Sequence, residues 1–123
     1  MKKIIVFCTL AFALFVTCKK NQLDGKSRIH GVVAHHEKKI PFATVFIKFN
    51  AKDSPGSDTS AYDAKVRADK DGHYDIKCYK GDYFLYGYGY DYSIDSPFVV
   101  VGGVPVHLRN KEDREIAVAV TED

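Results

Sequence analysis

From Ile29 onward the apolar residues recur at every second position, and that period constrains the fold more than any other feature of the chain. A period of two sends alternate side chains to opposite faces of a strand, whereas an amphipathic helix needs one near 3.6. Over 43–49, Val45, Ile47 and Phe49 share one face while Thr44, Phe46 and Lys48 share the other. Over 73–78 the inward set is Tyr74, Ile76 and Cys78, and over 83–90 it begins with Tyr83 and Leu85. Further strands are predicted over 29–35, 64–68, 97–101, 104–108 and 114–120, the last directing Ile116, Val118 and Val120 inward. Turn formers separate them: a polar loop over 50–61, the hairpin signal Asp69-Lys-Asp-Gly72, and Lys80-Gly-Asp82. No segment reads as an amphipathic helix. These segments amount to about seven short strands, and the expected architecture is all-β, a seven-stranded antiparallel β-sandwich of Ig-like Greek-key type.

Ahead of these strands stands a segment of another kind. Lys2 and Lys3 precede thirteen largely apolar residues, Ile4 to Val16, followed by Thr17, Cys18, Lys19 and Lys20. A spanning helix needs about 20 apolar residues, so this run fits the h-region of an export signal. Phe15-Val-Thr-Cys18 resembles the lipobox of bacterial lipoproteins, which implies cleavage after residue 17 and lipid attachment at Cys18. A thiolate can accept a diacylglyceryl group, and acylation of the new amine adds the second chain that stable anchoring requires. Residues 18–28 are polar and read as a lipidated tether, and residues 29–121 form the folded domain. No Asp follows Cys18, which favours the outer membrane. Without residues 1–17 the chain carries 16 basic and 16 acidic residues, because two of the 18 basic residues are Lys2 and Lys3. A neutral chain lacks the basic footprint of a nucleic-acid binder.

Several short motifs follow one another in a known order: Gly31-Val-Val, Ile40-Pro-Phe-Ala-Thr-Val45, Ala68-Asp-Lys-Asp-Gly-His-Tyr74, Lys80-Gly-Asp-Tyr83 and Gly89-Tyr90. In that order they resemble the carboxypeptidase regulatory-like domain, a transthyretin-like or prealbumin-like sandwich. The resemblance covers roughly residues 29–121 and implies an accessory or structural module in place of a catalyst.

Candidate chemistry is sparse. His35-His-Glu-Lys-Lys39 lacks the second histidine of a zincin motif. Asp69-x-Asp-Gly72 lacks the closing glutamate of a calcium loop, so a turn carrying acidic residues explains it more simply. No nucleophile elbow or phosphate loop is present, and strand 29–35 has no lysine for an isopeptide crosslink. Cys78 is the one cysteine left inside the domain and reads as a buried, inert thiol. The expectation is a non-catalytic chain without metal or cofactor.

The aromatic content is more informative. Seven of the eight tyrosines fall between Tyr74 and Tyr92. If Tyr83, Leu85, Gly87 and Gly89 enter the core, then Phe84, Tyr86, Tyr88 and Tyr90 form a row on the opposite face. Such a row either packs beneath the long loops or is a binding surface, since aromatic bodies with polar tips suit protein and glycan contacts. The sequence therefore supports a cell-envelope lipoprotein held by its covalent lipid, acting as a structural, accessory or protein-interaction module. The rival reading is a carbohydrate-binding module of a transport or degradation system.

Overall fold

The computed structural model describes residues 19–123, so the signal over 1–17 and the lipid-attachment residue Cys18 lie outside the described residues. Among the described residues ten strands form two five-stranded sheets that close over one core. The first sheet is organised by β1 (Leu23–His35), which pairs antiparallel with β2 (Lys38–Lys39) and β5 (His73–Cys78). Two short strands, β8 (Asp113–Glu115) and β9 (Val118–Ala119), run parallel to β1. The second sheet places β6 (Gly81–Tyr90) between β3 (Thr44–Phe49) and β7 (Val99–Leu108). Its edges are β4 (Ala64–Arg67) beside β3 and β10 (Thr121–Glu122) beside β7.

The period-two reading locates the core. Val45, Ile47, Tyr83 and Leu85 of the second sheet are fully buried against Ile29, Val33, Ile76 and Cys78 of the first. Burial pushes the Cys78 thiol up to about 11, as expected of an inert structural cysteine. Tyr83 buries its ring and donates its hydroxyl to the Tyr79 carbonyl at 2.7 Å and the Gln22 carbonyl at 3.1 Å.

Four expectations are corrected. The sandwich has ten strands, and β8 and β9 break the purely antiparallel pattern. β1 begins at Leu23, inside the stretch read as tether. Its register shifts between Leu23 and Ser27, which hides the alternation from sequence. The Asp69–Gly72 turn makes no hairpin, because β4 and β5 belong to different sheets. It is a corner, with Asp69 accepting from the amides of Asp71 and His73 and Gly72 at φ 77°. Finally, the strand expected over 114–120 is three short pieces that pass from the first sheet to the second.

That crossing explains the continuous β7. The sequence separates a strand over 97–101 from one over 104–108 at Gly102-Gly103, yet β7 runs straight through the pair. A side chain at Gly102 would meet the Ala119 carbonyl, and one at Gly103 would meet the Phe84 ring at 2.5 Å. The glycines serve close approach here, not reversal. Val118 and Val120 thereby seal the core over Gly87.

Candidate functional site

The outer face of the second sheet carries the predicted aromatic row, and the structure divides it in two. Phe84 and Tyr86 are 7% and 8% exposed, whereas Tyr88 is half-buried and Tyr90 is 46% exposed. The cover over the first half comes from the polar loop between β3 and β4. Tyr62, which follows its 3-10 turn (Thr59–Ala61), stacks on Tyr86 at 5.6 Å between centroids and lies 6.0 Å from Phe46. The Tyr62 hydroxyl donates to the Gly56 carbonyl, tying the loop to itself. Phe84 packs over Gly103, opposite Pro105. Of the four residues read as a binding surface, Phe84 and Tyr86 are thus packing groups, and Tyr88 and Tyr90 reach an open site.

That site is a cleft of about 940 Å³ at the far end of β6, within the range of about 300–1,000 Å³ typical of ligand pockets. Its aromatic wall is Tyr88, Tyr90 and Tyr92. Tyr90 meets Tyr88 edge-on at 5.9 Å and lies nearly parallel to Tyr92 at 6.2 Å. Tyr92 is 75% exposed and leans on Phe98 at 5.2 Å. Phe42 forms the opposite lip, half exposed, with the Arg67 guanidinium 5.3 Å from its ring centre.

The register of the sheet explains why cations face these rings. Thr44 pairs with Tyr88 on one side and Arg67 on the other, and Phe46 pairs with Tyr86 and Lys65. All of them share the outer face, so Arg67 and Lys65 flank the tyrosine row across one intervening strand. Lys38 and Lys39 complete the rim from β2.

Beneath the cleft lies a buried polar anchor. Asp91 is 3% exposed and accepts from His35 Nδ1 at 2.8 Å, Lys38 Nζ at 2.8 Å, and the amide and hydroxyl of Ser93. A carboxylate only accepts, so His35 carries its proton on Nδ1. His35, then Lys38 and Ser93, hold the Asp91 carboxyl well below the usual range. The anchor fixes the chain where β6 ends and Tyr92 begins. His35, the last residue of β1, is buried in this contact, while its neighbours His36 and Glu37 are exposed.

Sequence reasoning did not assemble Tyr92, Phe42, Lys65 or Arg67 into the site, nor the His35–Asp91 pair. Alternation could have placed Lys65 and Arg67 on one face of β4. Which face adjoins the tyrosines depends on strand order, and no local signal carries that. Among the described residues, no three His, Cys, Asp or Glu side chains are grouped to hold a metal ion. A second depression of about 510 Å³ near Lys52, His107 and Arg114 has no aromatic wall.

No protein-family model matches the chain, and no curated protein matches it. The resemblance to the carboxypeptidase regulatory-like domain therefore rests on the ordered motifs alone. Among solved structures, the chain is similar to a DUF3823 family protein from Parabacteroides merdae, with TM-score 0.50 and 16% identity over 77% of this chain. The chain spans 45% of that protein's length. It is also similar to a candidate carbohydrate-binding protein from Pseudomonas aeruginosa, with TM-score 0.55 and 10% identity over 85% of this chain and 93% of that one. At these identities the shared feature is the fold: an all-β, mostly antiparallel domain of two sheets.

Proposed function

We propose that this chain is a non-catalytic carbohydrate-binding module held at the cell envelope through a lipid on Cys18. The observation that carries the reading is the Tyr88–Tyr90–Tyr92 wall of an open cleft. Pyranose rings present flat C–H faces that stack on exposed tyrosine, while hydroxyls find polar partners around the rim. Rings held against one another and on a strand end bind with little loss of side-chain freedom. The naming of the Pseudomonas fold relative as a candidate carbohydrate binder agrees with this reading.

The anchor supplies an orientation. Asn21 binds the Lys80 carbonyl and the Asp82 amide, so the folded body begins three residues after Cys18 and beside the start of β6. The cleft sits at the other end of the ten-residue β6, about 30 Å away at roughly 3.3 Å per residue. A lipid on Cys18 would hold the Gly81 end against the outer membrane and turn the tyrosines outward, toward a polymer or an adjoining transport or degradation protein.

A glycan array probed with residues 19–123 tests the proposal. Binding is expected, and Tyr90→Ala/Tyr92→Ala abolishes it with little change in the unfolding midpoint, because Tyr92 is largely and Tyr90 nearly half exposed. A silent array, with an envelope protein captured through the same two tyrosines, would replace the glycan reading with a protein-interaction module.

A further inference from the structure

We infer that the cleft selects acidic saccharides, with the carboxylate of a uronic acid held by Arg67, Lys65 and Lys39 while a sugar ring stacks on Tyr90 and Tyr92. This specificity rests on the carbohydrate-binding reading above and extends it to a ligand class.

Charge in the cleft points to this ligand class. Without residues 1–17 the chain is balanced at 16 basic and 16 acidic residues, yet the cleft lining holds four cations and one carboxylate. That carboxylate, Asp91, is already bound to Lys38 and to His35. Lys38 therefore contributes little free charge, and the surplus resides on Lys39, Lys65 and Arg67. Most basic side chains elsewhere among the described residues are likewise unpaired, Arg28 and Lys48 being the exceptions, so what distinguishes the cleft is the grouping of its cations beside aromatic rings around a single carboxylate that is already taken. Lys39, Lys65 and Arg67 enter no ion pair among the described residues.

Three uncompensated cations around an aromatic cleft repel one another unless an anion joins them. Arg67 is placed for the task. Its guanidinium lies 5.3 Å from the Phe42 ring centre, and its planar fork suits the two oxygens of a carboxylate. Lys65 projects from the same face two residues away, and Thr44 lies between Arg67 and Tyr88 in the sheet. Arg67 and Tyr88 stand two strand spacings apart, about 10 Å between backbones, and Tyr90 lies two residues further along β6, a span that a sugar ring and a carboxylate on the same or the next residue can bridge with the long side chains reaching inward. A nucleic acid would offer anions as well, but the chain without residues 1–17 is neutral and lacks the basic balance that phosphate-backbone binding draws on.

Calorimetry with the full-length chain in neutral detergent micelles separates the alternatives. The probes are hexasaccharides of galacturonic, mannuronic and glucuronic acid, each beside its methyl ester, which keeps the ring and removes the charge. At least one acid is expected to bind, with its ester about 5- to 30-fold weaker, as two or three exposed ion pairs imply. Lys65→Gln/Arg67→Gln should abolish the preference for the acid, as should 1 M salt. Lys52→Gln, a cation outside the cleft, should change nothing. Equal binding of acid and ester would overturn the acidic specificity and leave the carbohydrate reading intact. Acid binding that survives Tyr90→Ala/Tyr92→Ala, matched by polyphosphate of equal charge, would overturn the saccharide part and leave a simple anion site. Failure of every acid, every ester and every neutral glycan would overturn both proposals.

Discussion

The crossing of the C-terminal segment over Gly87 gives a prediction that packing distances can quantify. A methyl group added at Gly87 would lie 2.8 Å from Val118 Cγ1 and 3.2 Å from Val120 Cγ1. Ordinary carbon contacts are about 3.5–4.0 Å, so both buried valines must shift. Overpacking of this kind costs about 1–3 kcal/mol. Against it, alanine in place of a strand glycine restricts the unfolded chain and returns about 0.4–1 kcal/mol. Gly87→Ala should therefore destabilise by about 1 kcal/mol. Val118→Ala removes two fully buried methyl groups at about 0.8 kcal/mol each and leaves a cavity, for a total near 2–3 kcal/mol. In the double variant the new methyl occupies the space vacated by Val118, only the 3.2 Å contact with Val120 Cγ1 remains to be relaxed, and the loss should be about 1 kcal/mol. The pair thus falls about 2 kcal/mol short of the sum of its parts, within the coupling expected of touching residues. Urea unfolding of residues 19–123, followed by circular dichroism, reads each value from its midpoint at constant slope. Additivity within about 0.5 kcal/mol would refute the crossing and restore a simple edge strand at the C-terminus.

Other consequences follow from single groups. Asp91 has a carboxyl depressed in the folded chain, so its stabilisation is complete above the unfolded value of about 3.9 and is lost as pH falls through and below it. Asp91→Asn should flatten the acid limb of midpoint against pH below about pH 4, and an unchanged limb would contradict the anchor. Cys78, with its thiol pushed up to about 11 and fully buried, should resist a thiol reagent at pH 8 in a Cys8→Ser/Cys18→Ser chain and react promptly in 8 M urea. Fast labelling of the folded chain would contradict its burial. Tyr83→Phe removes the hydroxyl donor of the Tyr79 carbonyl, while the Gln22 carbonyl keeps the Tyr79 amide at 2.8 Å, and should cost about 1 kcal/mol in urea unfolding. A loss below about 0.3 kcal/mol would mean that the segment before β1 is not tied to the core through this hydroxyl.

Local alternation made the strand faces legible and topology stayed hidden. Val45, Ile47, Tyr74, Ile76, Tyr83 and Leu85 point inward as their period requires, because each strand carries its own two-sided pattern. The C-terminal residues 113–122 defeated the same logic. Their alternation is real, yet the backbone passes between sheets, and the space it needs is recorded only as glycines at Gly31, Gly87 and Gly102. In sequence those glycines are equally readable as turns or bulges. The aromatic row was legible as a row, but its partial burial was not. Tyr62 comes from a polar loop with no period at all, and only the folded chain shows that it covers Tyr86 and leaves Tyr90 open. The charge of the cleft was invisible for a related reason: Lys39, Lys65 and Arg67 come from two strands in different sheets, and net charge averages them away.

The most direct test of the tyrosine cleft is fluorine NMR of the chain carrying 3-fluorotyrosine at its eight tyrosines, titrated with a panel of neutral and acidic oligosaccharides. Single Tyr→Phe variants assign the signals. The account predicts saturable shifts at Tyr88, Tyr90 and Tyr92, with Tyr74 and Tyr83 unmoved in the core. A panel that moves no signal, or moves Tyr79 while leaving Tyr90 and Tyr92 in place, would contradict it.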